Sequence, residues 1–397
     1  MFMTSDVAKS FVLDYLKTIL GGIEITRMMM AQIVQAAETV APRLMAGGDM
    51  YIASVRPDFA SEGYIRSGGL MMLKEYHDQP DLSKKDMVVF GWSNTSPDLD
   101  QALLMRLKKS GAFVVGIGPF AEELSTGVDV FLESSLVVSD VLKTPFAQEV
   151  YPFVSLQNLV LLWVFTGELV AALTRCGQMP TMYQSVLVPG ARARNAQFHA
   201  HRFHPSHTVP PLQPGVLGAA YLDKISGCLQ AVCDREIETI KQVAQVCVNV
   251  VDNGLAIHAF LISHFPVHQI GAPGDLRVMK LLEVRTGETP DVAELEQKLR
   301  PGDLFFFLGY YRRPVKAYDV ARRVGCSIVE IITGTDEADP GGPLPDYAIR
   351  PGWHYTDSLV DVPEYDVRIL PASGIMQAAI YWAIVGEMGR ALKTLER

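Results

Sequence analysis

The chain repeats itself once, and that repeat limits what it can fold into more than any other feature. Tyr15-Leu16-Lys17 returns as Tyr221-Leu222-Asp223 and Gly47-Gly48 as Asn253-Gly254, both 206 residues further on. Lys85-Asp86-Met87-Val88-Val89-Phe90 returns as Gly302-Asp303-Leu304-Phe305-Phe306-Phe307 at a distance of 217, so a loop of the second copy is longer. Pro152, Trp163, Gly167-Glu168 and Ala172-Leu173 return as Pro371, Trp382, Gly386-Glu387 and Ala391-Leu392, all at 219. Several identities at one offset imply an internal duplication, two copies of one structural plan.

Both copies read as the same series of elements. A helical stretch with apolar residues near a 3.6 period (residues 23–44 and 237–251) leads through a glycine to a short strand (49–54 and 256–263). A helix, a wholly apolar strand (87–90 and 304–308), a cationic helix (99–109 and 315–323) and a further apolar strand (113–117 and 327–332) follow. Strands that lose their polar alternation are buried on both faces, and their alternation with helices marks a parallel sheet covered on each side. Two tandem three-layer αβα domains are therefore expected, over residues 1–177 and 215–397. Residues 178–214, rich in Pro, Arg and His and weak in periodicity, read as a connector arm.

Composition narrows the partners. With 35 Lys plus Arg against 44 Asp plus Glu the net charge is −9, and no basic stripe is present to meet a phosphodiester backbone, so nucleic acid is not an expected partner. The five cysteines (Cys176, Cys228, Cys233, Cys247, Cys326) form no C-x-x-C pair and lie mostly in apolar surroundings, as reduced core cysteines do. Residues 1–14 contain Asp6, Lys9 and Asp14 and lack the pattern of a signal peptide. The apolar stretch 153–173 is broken by Gln157, Asn158 and Glu168, which reads as a buried helix and not a membrane span. A cytoplasmic protein with no membrane partner is expected.

Several clusters can carry chemistry. Ser93, Asn94, Thr95 and Ser96 end a strand just before a helix, where hydroxyls, backbone N–H groups and the helix end converge on an anion. The plainer alternative makes Ser96 an N-cap with Pro97 at N1, and Asp98 and Asp100 would repel a phosphate dianion. At the matching place in the second half stand Tyr310-Tyr311-Arg312-Arg313. Arg312 and Arg313 can grip an anion bidentately and a tyrosine can stack on a sugar ring, or the segment is only a solvated helix start. His199, His201, His204 and His207 crowd the connector without the spacing of a known zinc motif, so no metal is expected. No G-x-G-x-x-G or P-loop is present, and Gly91-Trp92-Ser93-Asn94-Thr95 lacks the last glycine of a nucleophile elbow, so no cofactor is expected.

The order of these segments resembles the sugar isomerase (SIS) family, and more narrowly its phosphoheptose-isomerase-like members, once per half. Ala46 to Tyr51 followed by Ile65-Arg66-Ser67-Gly68-Gly69-Leu70 is similar to the family's first strand and helix. Phe90-Gly91-Trp92-Ser93-Asn94-Thr95-Ser96 stands where the family has its phosphate loop, although the family's glycine is absent. Asp357-Ser358-Leu359-Val360 and Pro371-Ala372-Ser373-Gly374-Ile375 resemble the last strand and the start of the closing helix.

The resemblance implies flavodoxin-like domains and a sugar or sugar-phosphate ligand. It also implies a homodimer or homotetramer, in which the connector and its histidines reach a neighbour's pocket. It makes Glu62, on the helix after the first strand, the leading base for aldose–ketose interconversion. His264, in the turn Ser263-His264-Phe265, and His268 four residues on become acid–base or sugar-hydroxyl ligands, against the alternative of structural histidines. Arg56, in the equivalent turn of the first half, is a ligand candidate whose alternative is an ion pair with Asp58. Isomerisation of a sugar phosphate is the expected reaction. A non-catalytic sensor or scaffold, and a deglycase, lyase or isomerase acting on an unphosphorylated or other anionic sugar, are the alternatives.

Overall fold

The computed structural model of the chain describes residues 10–77, 81–93, 95–134, 153–262, 264–282, 290–310, 312–333, 341–354 and 356–395. In the first half α1 (Phe11–Met28), α2 (Met30–Met45), β1 (Met50–Ser54), α3 (Pro57–Gly63), β2 (Leu73–Glu75) and β3 (Met87–Gly91) follow one another. Then come α4 (Pro97–Ser110), β4 (Phe113–Gly118), α5 (Glu122–Gly127), β5 (Val130–Glu133) and α6 (Phe153–Arg175). The connector holds α7 (Ala191–Phe198). In the second half α8 (Val216–Arg235), α9 (Ile237–Asp252), β6 (Ile257–Leu261), a 3-10 turn (Pro266–His268), β7 (Met279–Leu281), α10 (Val292–Lys298) and β8 (Leu304–Leu308) come first. They are followed by α11 (Val315–Val324), β9 (Ser327–Ile331), β10 (Tyr347–Ile349), β11 (Ser358–Val360), β12 (Ile369–Pro371) and α12 (Ser373–Leu395).

The halves have the same topology. Each holds a five-stranded, all-parallel sheet, ordered β2-β1-β3-β4-β5 in one and β7-β6-β8-β9-β10 in the other. The register also repeats, with Met50 opposite Met87 in the first sheet and Ile257 opposite Leu304 in the second. Alternate residues of the apolar strands serve opposite layers. Met87 and Val89 face the large central core, while Val88 and Phe90 face the layer of α4 and α5. Leu304, Phe306 and Leu308 face the central core, while Phe305 and Phe307 face the layer of α10 and α11. A strand with two apolar surroundings has no place for polar alternation, which explains its composition.

A carboxylate clamp is repeated as well. Asp86 accepts the backbone N–H groups of Asp49 (2.8 Å) and Ser83 (2.7 Å), and Asp303 accepts those of Ala256 and Arg300 (both 2.9 Å). The structure moves one sequence pairing by a residue. The glycines that end α2 and α9 in the left-handed conformation are Gly47 (φ 92°) and Gly254 (φ 70°), so Gly254 matches Gly47 rather than Gly48. Beyond the three strands per half read from the sequence, edge strands β2, β5, β7 and β10 complete the sheets, and β11 pairs antiparallel with β12 outside them.

The two halves share one core. Helix α1 packs against α8 and α12, and α6 packs against α2 and α8. Among the described residues α6 is the one helix long and apolar enough to cross a membrane, and its apolar stretch is wholly buried inside the protein. Its polar residues have buried partners: the amide of Gln157 donates to the carbonyl of Gly22 at 2.7 Å, and that of Asn158 to the carbonyl of Trp92 at 3.0 Å. Glu168 caps α8, accepting the N–H groups of Gly215 (2.7 Å) and Gly218 (2.8 Å).

Candidate functional site between the halves

Helix α3 follows the carboxyl end of β1 and carries Glu62 in its last turn; Arg66 lies beyond the helix, after the turn at Tyr64 and Ile65, and folds back to pair with Glu62. Arg66 is only 3% exposed, and its guanidinium reaches partners in both halves. Its Nε donates to Glu62 Oε1 at 3.0 Å and its Nη2 lies 2.8 Å from Asp357 Oδ2. It donates further to the hydroxyls of Tyr310, at 3.2 Å, and Ser373. Asp357 is itself fixed, since its Oδ1 accepts the backbone N–H of Ser373 at 2.9 Å and ties Arg66 to the start of α12. A buried guanidinium needs such satisfaction of its donors to remain charged. Burial opposes its proton, and the carboxylates of Asp357 and Glu62 more than offset that, raising its pKa.

Glu62 is fully buried behind Arg66. Its carboxylate lies against the first turn of α12, where a Cβ on Gly374 would stand 2.2 Å from Oε1, so only glycine admits it there. Burial pushes the Glu62 carboxyl up to about 7, against the pull of Arg66. His264 comes from the turn after β6. Its Nδ1 lies 3.1 Å from the carbonyl oxygen of Ser61, an acceptor only, so Nδ1 carries the proton and Nε2 keeps a lone pair. Burial pushes this imidazole down to about 4, and Arg66 pushes the same way.

These groups meet at a cavity of about 630 Å³ lined by Arg66, His264, Tyr310 and Asp357 together with Tyr183, Gln184, Arg192 and Asn195 of the connector. Glu62 is not part of that lining. Two lining residues, Ile65 (φ 48°) and Asp357 (φ 69°), have a left-handed backbone that side chains other than glycine rarely adopt. The connector lies on both halves of its own chain. Arg194 pairs with Asp366, and Arg202 donates to the carbonyl of Leu44. Asn195 holds Gln184 by two backbone hydrogen bonds.

The other candidates lie elsewhere. Ser93 Oγ bonds Thr95 Oγ1 at 2.8 Å and Asp100 Oδ2 at 3.2 Å, so the Ser93 hydroxyl is turned onto the buried Asp100; Asn94 lies outside the described residues. Ser96 holds the N-cap position of α4 without a side-chain cap bond. Arg56 pairs with Asp58 at 3.1 Å and donates to the carbonyl of His268 at 3.2 Å, which ties the halves together. Burial lowers the pKa of His268. Arg313 pairs with the fully buried Glu330 at 3.1 Å, Arg350 pairs with its other oxygen, and Tyr318 donates to the same carboxylate at 2.8 Å. Arg312 is exposed beside this network, and Tyr311 lies outside the described residues. In the connector His204 and His207 meet with their Nδ1 atoms 3.2 Å apart, while His199 Nδ1 contacts Tyr183; among the described residues no group of three or more metal-binding side chains forms.

Sequence reading missed Arg66, Asp357 and Ser373 as site residues. The available signal was an acid and a base close in the sequence, Glu62 in the last turn of α3 and Arg66 just beyond its end. Their other partners, about 300 positions away, carried no local sign.

No family profile matches the chain, and no curated protein does. Solved structures do match nearly end to end. The C-terminal domain of glucosamine-fructose-6-phosphate aminotransferase from Francisella tularensis aligns at a TM-score of 0.51 and 9% identity, over 99% of this chain and 98% of that one. A proposed sugar-binding protein from Salmonella typhimurium LT2 aligns at 0.51 and 11%, over 96% and 99%. A proposed phosphosugar isomerase from Silicibacter pomeroyi DSS-3 aligns at 0.46 and 12%, over 98% of each chain. At these identities the likeness establishes the fold, a pair of parallel α/β sheets in tandem. That is the SIS architecture the repeated segments resembled.

Proposed function

We propose that the chain binds a sugar phosphate in the cavity between its halves and interconverts its aldose and ketose forms. The observation that carries this reading is Arg66, a buried guanidinium held by a carboxylate from each half beside a neutral imidazole. Arg66 and Tyr310 would hold the carbonyl oxygen and its neighbouring hydroxyl, so that charge developing there during enolisation meets donors already in place. Nε2 of His264 would take the proton from one carbon and return it to the next. Glu62 and Asp357 position the guanidinium. Arg192, exposed in the first turn of α7, supplies a further cation on the cavity wall for the phosphate. Cytoplasmic residence fits the five free cysteines, and self-association completes the proposal.

One observation favours binding without turnover. An imidazole pushed down to about 4 is a weak base, and the carboxyl near 7 lies behind Arg66. Thermal unfolding with sugar phosphates and the corresponding free sugars tests both readings, since a ligand at 100 times its Kd stabilises by roughly 2.7 kcal/mol. Proton NMR in D2O then follows the hydrogen beside the carbonyl. Stabilisation by phosphorylated sugars with exchange that His264→Asn abolishes supports the isomerase; stabilisation without exchange supports the sensor. Stabilisation by free sugars alone moves the substrate to an unphosphorylated sugar, and no stabilisation at all refutes the site.

A further inference from the structure

We infer that the natural ligand of this cavity joins its sugar phosphate to an apolar group of several carbons, a substrate class that rests on the reading above and narrows it. Part of the wall is polar, formed by Arg66, His264, Tyr310 and Asp357. Much of the remainder is apolar, formed by Ile65, Val186, Leu187, Leu261, Ile262 and Val267. A bare sugar phosphate presents hydroxyls and oxyanions, so displacing water from that second surface gains it little. The volume of about 630 Å³ also falls among pockets that enclose ligands of drug size, with room beyond one sugar ring.

Two residues of the apolar wall are unusual. Ile65 and Val186 are each 45% exposed, although one comes from the first half and the other from the connector. They bring two large hydrophobic side chains to the rim of one cavity. Ile65 does so at φ 48°, a conformation that is a genuine outlier for a β-branched residue. Backbone strain of this kind persists where the surroundings fix it, and the next residue, Arg66, is locked in its buried network. The strained turn holds the guanidinium on the polar wall and an isoleucine in water beside it. A ligand polar at one end and apolar at the other satisfies both.

The test is calorimetric titration of the full chain with glucose 6-phosphate and its methyl, butyl and octyl β-glycosides. Glucosamine 6-phosphates N-acylated with chains of the same lengths provide a second attachment point. In at least one series the affinity is expected to rise about threefold per added methylene, as partial burial of a CH2 group gives. Val186→Asp is expected to flatten that rise, read as the ratio of each Kd to the parent's within the same variant. If the parents bind and neither series gains, or if the rise survives Val186→Asp, the apolar subsite is overturned and the sugar-phosphate site stands. If no member of either series binds, both fall.

Discussion

Glu62→Gln is expected to gain stability relative to the unsubstituted chain as the pH rises. The Glu62 carboxyl is fully buried and titrates at about 7 against an ordinary value of 4.5. An acid whose folded-state pKa is raised holds a proton that the unfolded chain releases. Its contribution to stability is complete below 4.5 and is lost as the pH climbs through 7. Over that interval the ionisation costs the folded chain about 3 kcal/mol. Glutamine keeps the shape, still accepts from the Nε of Arg66 through its amide oxygen, and has no proton to lose. The difference in unfolding free energy, variant minus unsubstituted, should therefore widen by about 3 kcal/mol between pH 4.5 and pH 8. His264 acts in the opposite sense, because its folded pKa is lowered to about 4, so its contribution is present above 6.5 and lost in acid. Comparing two proteins that share His264 removes that effect. Urea unfolding followed by tryptophan fluorescence at one-unit steps of pH reads the difference directly. A constant gap, or one that narrows towards alkaline pH, would refute a buried carboxyl of raised pKa at this position.

Arg66→Met should leave Glu62 and Asp357 buried without their cation, costing about 3–5 kcal/mol in urea unfolding and abolishing any sugar-phosphate shift in Tm. The two clamps should respond in step with their burial: Asp303→Ala should cost about 3 kcal/mol and Asp86→Ala, which is partly exposed, less, measured as urea midpoints. Gly386→Ala would place a Cβ 1.9 Å from the ring of Phe11 and should destabilise the fold by an overpacking cost of roughly 1–3 kcal/mol or more, read as a lower Tm. Gly21→Ala meets nothing within 4 Å at an exposed position of α1 and should stabilise the fold by about 1 kcal/mol, read as a higher Tm.

What the chain revealed before folding follows from where each interaction is encoded. Apolar strands such as Leu304–Leu308 are legible because burial on both faces demands one kind of residue at every position. Edge strands such as Leu73–Glu75 are not, since three residues paired along one side carry no such demand. Helix α2 was legible from its period, while the break at Met29 that separates it from α1 left no mark. At the site, Glu62 and His264 stood out as residue types suited to proton transfer, but their surroundings did not. Arg66 gets its burial from Asp357, Tyr310 and Ser373, and such contacts exist only once the halves have docked. The hydroxyls of Ser93 and Thr95 suited an anion equally well in the sequence, and the structure shows Ser93 bonded to Asp100 and Thr95 bonded to Ser93 instead.

The shared core of the two halves has an evolutionary consequence. When two identical subunits form a symmetric pair, every substitution appears in both, and a change that benefits one site is imposed on its twin. Here α1 packs on α8 and α12 within a single chain, so the pairing is permanent while the two halves are free to differ. Arg66 and Glu62 on one side and Asp357, Tyr310 and Ser373 on the other have different jobs around one guanidinium. Halves that do not have to remain alike can keep such an arrangement on one side without building its mirror image on the other.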